Sequence, residues 1–176
     1  MKSRVLKFYR PWLLGCVVAM WTFSFTPLSL AAEEGTFSVR LLTLEVAATA
    51  ARAAMAHCRQ AGFQVSVAVV DRFGVLQYFA RDRFAGPHTV EFATQKAWTA
   101  SSFKMTTASL AMETQAGKSM SGMRGNPHVL AIGGGQVIEA AGSLLGGIGV
   151  SGAPGGEADD DCALAGLRAI ADAIDF

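Results

Sequence analysis

Histidine and cysteine are scarce in this chain, with three of each among 176 residues, and neither is clustered. His57, His88 and His128 are scattered and no two cysteines stand as CxxC, so the spacings of a zinc site are missing. Catalytic signatures are equally sparse. Ser101 and Lys104 form an SxxK pair, but no SDN or KTG accompanies it and the chain is too short for the penicillin-interacting fold. Ser151 lies in GVSGA rather than GxSxG, and no nucleophile with a nearby histidine and acid can be read from the spacing. Pro/Gly/Ser linkers and internal repeats are absent, which leaves room for one domain and no second.

Acids are missing from the first 32 residues. That segment carries Lys2, Arg4, Lys7 and Arg10, then the run PWLLGCVVAMWTFSFTPLSL broken by Pro27, then small residues at Ser29 and Ala31. Together these make a secretory signal peptide with cleavage after Ala31 or Ala32. A retained anchor would need about 20 uninterrupted apolar residues. Leu13, Leu14, Gly15 and Cys16 spell a loose lipoprotein box, but it stands too close to Arg10 while the apolar run continues well past it. The expected organisation is a cleaved signal at 1–32, a short leader at 33–41 and a single domain at 42–176, periplasmic or secreted and not membrane-spanning.

Cleavage removes four basic residues and no acid, leaving 11 basic against 14 acidic residues and a formal charge near −3. Nothing in that balance suits nucleic acid. Cys58 and Cys162 remain, and an oxidising compartment permits one disulfide between them. The alternative is a pair of small buried residues on separate helices, since spacing alone does not show whether their Cα atoms approach.

Thr43 is placed to cap a helix through LEVAATAARAAMAHCRQA, whose small side chains recur at spacings of three and four until Gly62 ends it. QVSVAVVD and VLQYFARD flank the RFG turn and predict a hairpin. Gly86-Pro87 breaks the chain, Thr89 is the expected N-cap of a helix with Glu91 in its first turn, and TASLAMETQ makes a shorter helix after a break near residues 104–106. KSMSGMRGNPH is a loop by composition. HVLAIGG, QVIEAAG and LLGGIGVSG predict three strands, and EADDDCALAGLRAIADAIDF a last helix with acids at its positive end. Strands joined in adjacent pairs by short turns run antiparallel, so the expected fold is α+β, a five-stranded antiparallel sheet with helices packed on it, of profilin or PAS type. GIGVSG matches GxGxxG, but the βαβ unit and the acid about 20 residues on that the dinucleotide fingerprint needs are missing. Its glycines instead let a strand pass close to a helix.

His88 differs from the other histidines. A ring displayed on a Gly-Pro turn at a helix entrance is not a core residue, whereas His57 sits on the apolar side of a helix and His128 follows a proline. Arg81, Arg83 and Lys96 lie near His88 in sequence. Imidazole can bind iron while cations pair with propionate carboxylates, so the cluster suits an anionic macrocycle. The competing reading of Arg81 and Arg83 is an ordinary solvated strand end.

VAVVDRFGVLQYFARD, AGPHTVEFATQKAWTASSF and NPHVLAIGGGQVIEAAGSLLGGIGVSGAPGGEADDDCALAGLRAI resemble the GlcG/HbpS family of heme-binding proteins, a domain also found at the C-terminus of some corrinoid adenosyltransferases. The resemblance runs from Leu42 to the end of the chain. Asp71, Gly74, Lys96, Ala97, Thr99, Ala100, Phe103, Gly149, Ser151 and Gly152 fall on its recurrent positions, while the AGPHT turn marks one branch. It implies a profilin-like fold, self-association and heme binding, with roles proposed in heme handling, redox sensing and glycolate metabolism. It brings no catalytic constellation. On this basis His88 is the candidate iron ligand, with Arg81, Arg83, Lys96 and Thr89 as candidate heme contacts in a groove between the second strand and the long helix. The leading expectation is a heme binder that sequesters, delivers or senses the cofactor. An enzyme acting on heme or a small organic acid, and a non-heme scaffold or sensory partner of a membrane receptor, are the alternatives.

Overall fold

The computed structural model describes residues 35–175; the expected signal peptide lies outside the described residues. Helix α1, Leu44–Gln60, begins where the Thr43 hydroxyl accepts a hydrogen bond from the Val46 amide at 3.3 Å. That bond satisfies one of the amides left open by a helix start. It buries a face of small residues, among them Ala47, Ala50, Ala51, Ala54 and Cys58. Strands β1, Ser66–Asp71, and β2, Leu76–Arg81, form the expected hairpin. Its turn is held by Asp71, whose carboxylate accepts from the Phe73 and Val75 amides, with Gly74 at φ 79° in the left-handed region.

Helix α2, Thr89–Phe103, follows the Gly-Pro turn, and α3, Thr107–Glu113, restarts after Lys104 adopts a left-handed conformation. A 3₁₀ turn at Ser121–Gly125 leads toward β3, Gly135–Ala140; β4, Ser143–Ser151, and α4, Gly156–Ile174, complete the chain. The sheet is antiparallel in the order β2-β1-β4-β3. Alternate β1 residues Val67 and Val69 pack with Ile148 and Val150 of β4 beneath α1 and α4, whereas Ala68 and Val70 point to α2. Burying each of these Val and Ile side chains contributes about 1.5–3 kcal/mol. A disulfide joins Cys58 of α1 to Cys162 of α4, with Cα atoms 5.5 Å apart.

Four strands stand among the described residues where the sequence suggests five. The missing strand is HVLAIGG. Up to its last residue it is engaged by helices: the Leu130 amide donates to the Thr99 hydroxyl of α2 at 3.0 Å, Val129 and Ala131 pack on Leu110 of α3, and only the Gly134 carbonyl meets the sheet, accepting from the Val150 amide of β4 at 2.8 Å. A short apolar run carries the same pattern in either setting, and here the side-chain oxygen of Thr99 takes the role of a ladder partner. The glycines of GIGVSG lie within antiparallel β4 or at its end. A Cβ on Gly149 would fall on the Ala93 carbonyl oxygen and the Ala97 amide of α2, so this glycine sets how closely helix and sheet approach.

Candidate functional site

The starts of α2 and α4 stand on either side of the C-terminal end of β4 and enclose a cleft of about 240 Å³. One wall is the turn and first helical residues Gly86, His88, Thr89 and Phe92. The other is Gly155, Gly156 and Asp159, with Ser151, Gly152 and Ala153 behind and Ile132 at the rim. Lys96 and Asp159 also line it.

Local bonds shape the first wall. Thr89 is not the N-cap that the sequence suggests: His88 holds that position with helical dihedrals and no side-chain cap bond. The Thr89 hydroxyl donates to the Gly86 carbonyl at 2.6 Å and shares a hydrogen bond of 2.7 Å with Ser66 of β1, both residues being buried. This pins the Gly86-Pro87-His88 turn to the sheet and leaves the histidine outside. The His88 ring meets Phe92 edge-on, with centroids 5.5 Å apart, and makes no hydrogen bond to another described residue.

Lys96, expected among the heme contacts around His88, is committed to a buried ion pair. It is 2% exposed, and its ammonium donates to the Val150 carbonyl at 2.9 Å and to the Asp159 carboxylate at 2.7 Å. A Cβ at Gly134 would come within 2.7 Å of Nζ, so the bare Cα there makes room for the ammonium. Burial raises the pKa of the Asp159 carboxyl, and the Lys96 charge and hydrogen bonds from Lys96 and the Ala153 amide oppose that rise without cancelling it. Asp160 ties the other side together by accepting from the Gly134 amide and the Gln136 side chain, each at 2.7 Å.

Arg81 and Arg83 stand apart from the cleft lining. Both are exposed, and the Arg81 guanidinium donates to the Ala85 carbonyl, bracing the loop that carries His88. The expected groove between β2 and α2 is therefore displaced: the cleft lies between α2, the end of β4 and α4, and it gathers His88, Thr89 and Lys96. Sequence reasoning missed Asp159, hidden in an acid run that also fits a helix start, and Ser66, one valine-flanked hydroxyl in a buried strand. A larger groove of about 510 Å³ lies between β3 and the C-terminal half of α4, but it contains none of these residues. Among the described residues no cluster of three or more His, Cys, Asp or Glu is placed to hold a metal ion, and no helix is long and apolar enough to cross a membrane.

Fold and cleft define a class: an α+β domain with helices on both faces of an antiparallel sheet and a cleft where two helices begin. Residues 42–168 match the family described as haem degrading protein HbpS-like, and the chain belongs to that family. A double Glu-to-Asp mutant of HbpS from Streptomyces reticuli is 38% identical with a TM-score of 0.73, covering 79% of this chain and 94% of that one. A PduOC:heme complex is 31% identical with a TM-score of 0.70, covering 74% and 96%. ORFY of Klebsiella pneumoniae is 26% identical with a TM-score of 0.76, covering 80% and 98%. Corrinoid adenosyltransferase PduO of Salmonella typhimurium is 34% identical over 121 residues, 68% of this chain. The chain spans only 36% of that curated relative's length.

Proposed function

We propose that this chain is an exported heme-binding protein that sequesters, delivers or senses the macrocycle outside the cytoplasm. The observation that carries the reading is the His88 imidazole, uncommitted to any hydrogen bond among the described residues and set edge-on to Phe92 at the lip of the cleft. A ring so placed has a nitrogen available for iron, and Phe92 and the half-exposed Ile132 offer apolar contact for a macrocycle. A neighbouring member of the family holds heme in a solved complex. Bound iron would supply one-electron redox chemistry; the protein would supply the ligand, the apolar contact and the limits on solvent access.

Sites for drug-sized ligands occupy roughly 300–1,000 Å³, more than the 240 Å³ of this cleft. A cleft of this size would not enclose a heme; His88, Phe92 and Ile132 are the residues that would touch it. Export rests on the basic, apolar and small-residue sequence of 1–32, and self-association on the resemblance to the family.

Hemin titration followed by absorption tests the reading. A saturable Soret band at one macrocycle per binding site supports it, and a featureless, non-saturating spectrum overturns it. Following the band after adding a reductant separates binding from breakdown, because a binder keeps the band and a degrading enzyme loses it. N-terminal mapping of the protein from the exporting host, expected to begin near Ala32 or Glu33, tests export.

A further inference from the structure

Two long helices begin at the cleft and neither start is capped by a side chain. The N-cap of α2 is His88, whose ring makes no cap bond, and that of α4 is Gly155, which has no side chain to offer. In α4 the Asp159 amide is the first to reach a carbonyl, that of Gly155 at 3.1 Å, so the amides of Gly156, Glu157 and Ala158 have no partner among the described residues. Such a start favours negative charge. Ser151 points to a ligand independently. It is 4% exposed, it lines the cleft between the two helix starts, and its hydroxyl bonds to no described residue, whereas Ser66 opposite it on β1 is bonded to Thr89. Among the described residues every buried side-chain nitrogen or oxygen sealed from solvent has a partner. The Ser151 Oγ is therefore not sealed, and the space it opens to is the cleft. A hydroxyl held there without a bond is a loss that a bound acceptor would make good.

We propose that the inner end of the cleft binds the carboxylate of a small monocarboxylic acid, with the Ser151 hydroxyl and the first amides of α4 as its donors. Asp159 is the one acid in the lining, and both its oxygens are occupied, Oδ2 by Lys96 and Oδ1 by the Ala153 amide. The formal charges of Lys96 and Asp159 cancel. Glu157 and Asp160 line the neighbouring cavity instead, and Glu91 and Asp161 are exposed. What remains for a ligand is the partial positive charge of the helix starts, about half a unit each, which matches one negative charge better than the two of a phosphate. Lys96 adds to it, since two of its three ammonium hydrogens are used. The cleft, at 240 Å³, is smaller than the roughly 300–1,000 Å³ of drug-sized sites, so the acid has few carbons, and Phe92 and Ile132 suit a short apolar body behind the carboxylate.

A carboxylate reaches this position either as a free acid or as a propionate of heme. Only the second source rests on the heme reading. The subsite itself rests on Ser151 and the start of α4, neither of which that reading uses.

Sodium butyrate titrated into the purified protein near pH 7, followed by calorimetry and by amide NMR, tests the subsite. Saturation at one site with a shift of the Gly156 amide resonance is expected, and butyramide, which has the shape without the charge, should bind at least about tenfold more weakly. Ser151→Ala should weaken butyrate about tenfold, the worth of one hydrogen bond to a charged group. Its thermal midpoint should not change, because the hydroxyl bonds to nothing in the protein. Gly155→Asp places a carboxylate of the chain's own at the N-cap, where it can take a first-turn amide; the backbone there is extended and a Cβ would meet nothing within 4 Å. This variant should lose butyrate while its thermal midpoint holds or rises, and Gly155→Ala should bind like the parent. Butyrate that never saturates, butyramide or phosphate that binds as tightly as butyrate, or a Gly155→Asp protein that binds like the parent would overturn the proposal. Hemin and its dimethyl ester identify the source. Butyrate excluded by bound hemin but not by the bound ester assigns the subsite to a propionate, and butyrate that binds beside both assigns it to a free acid. A protein that takes butyrate but no hemin keeps the subsite and loses the heme reading; one that takes hemin and no butyrate does the reverse.

Discussion

Lys96 and Asp159 lie 63 residues apart in sequence and meet at the base of the cleft, Nζ to Oδ2 at 2.7 Å, with side chains 2% and 5% exposed. The pair ties α2 to the first turns of α4, and the bond from Lys96 to the Val150 carbonyl adds the end of β4. Removing one partner of such a pair leaves the other buried and unmatched, at a cost of about 3–5 kcal/mol. Lys96→Met should therefore destabilise the protein by about that amount near pH 7, measured by urea unfolding.

The same variant should show a particular pH dependence. Burial already raises the folded-state pKa of Asp159 above its unfolded value, and losing Lys96 removes the main influences opposing that rise. A carboxyl raised on folding binds more protons in the native state than in the unfolded one. Its contribution to stability is fully present below the unfolded value, about 3.9, and is lost as pH climbs through the folded pKa. The gap between Lys96→Met and the parent should accordingly be small near pH 4 and widen toward pH 7. A gap independent of pH would mean that lost packing, not the buried carboxylate, sets the cost.

The disulfide between Cys58 and Cys162 closes a long loop across a sequence separation of 104 residues and clamps the two helices that cover one face of the sheet. Loss of a native bridge from a small domain costs about 2–5 kcal/mol. A reductant, or the Cys58→Ala, Cys162→Ala double variant, should lower the thermal midpoint accordingly. Equal midpoints under oxidising and reducing conditions would show that the alanine-rich packing of α1 on α4 holds the face without it.

Much of this architecture was legible because local chemistry and global fold agree. Thr43 caps α1, Asp71 and Gly74 make the hairpin turn, and the alanine spacing marks the helix faces. The missing fifth strand was not legible, since nothing in HVLAIGG reveals that the Thr99 hydroxyl takes the Leu130 amide. The site was read in part. A histidine on a Gly-Pro turn announces its exposure, but a lysine in a helix does not announce that its partner lies in another helix far along the chain. Lys96 is therefore legible only as a cation near His88, and Asp159 as one acid among several at a helix start.

Gly149 is expected to be intolerant of the smallest side chain. A Cβ there meets the Ala93 carbonyl oxygen and the Ala97 amide, both backbone atoms that cannot rotate away. Gly149→Ala should force α2 off β4 and cost at least the 1–3 kcal/mol typical of overpacking, with loss of the cleft because His88, Phe92 and Lys96 all ride on α2 or its cap. Gly117→Ala is the control, since its Cβ would meet nothing within 4 Å and only its φ of 85° is strained. A Gly149→Ala protein as stable as the Gly117→Ala one would show that the sheet yields to the helix at this point.

His88→Ala should shift the Soret maximum of the hemin adduct and weaken binding at least about tenfold, because it removes the proposed iron ligand while leaving the fold intact. The turn around it is held by Thr89, Ser66 and the Arg81 contact to Ala85, none of which uses the imidazole. Thermal stability should therefore stay near that of the parent. Arg81→Ala acts differently: it removes the contact to Ala85 that braces the loop carrying His88 without touching iron, so affinity should fall while the band position holds. His57→Ala and His128→Ala serve as controls, since neither residue lines the cleft and the His128 ring instead lies 5.8 Å from that of Trp98. An unaltered spectrum and affinity in His88→Ala, with a change in either control, would move the iron to another histidine. Parent-like behaviour in all three would require a ligand other than histidine.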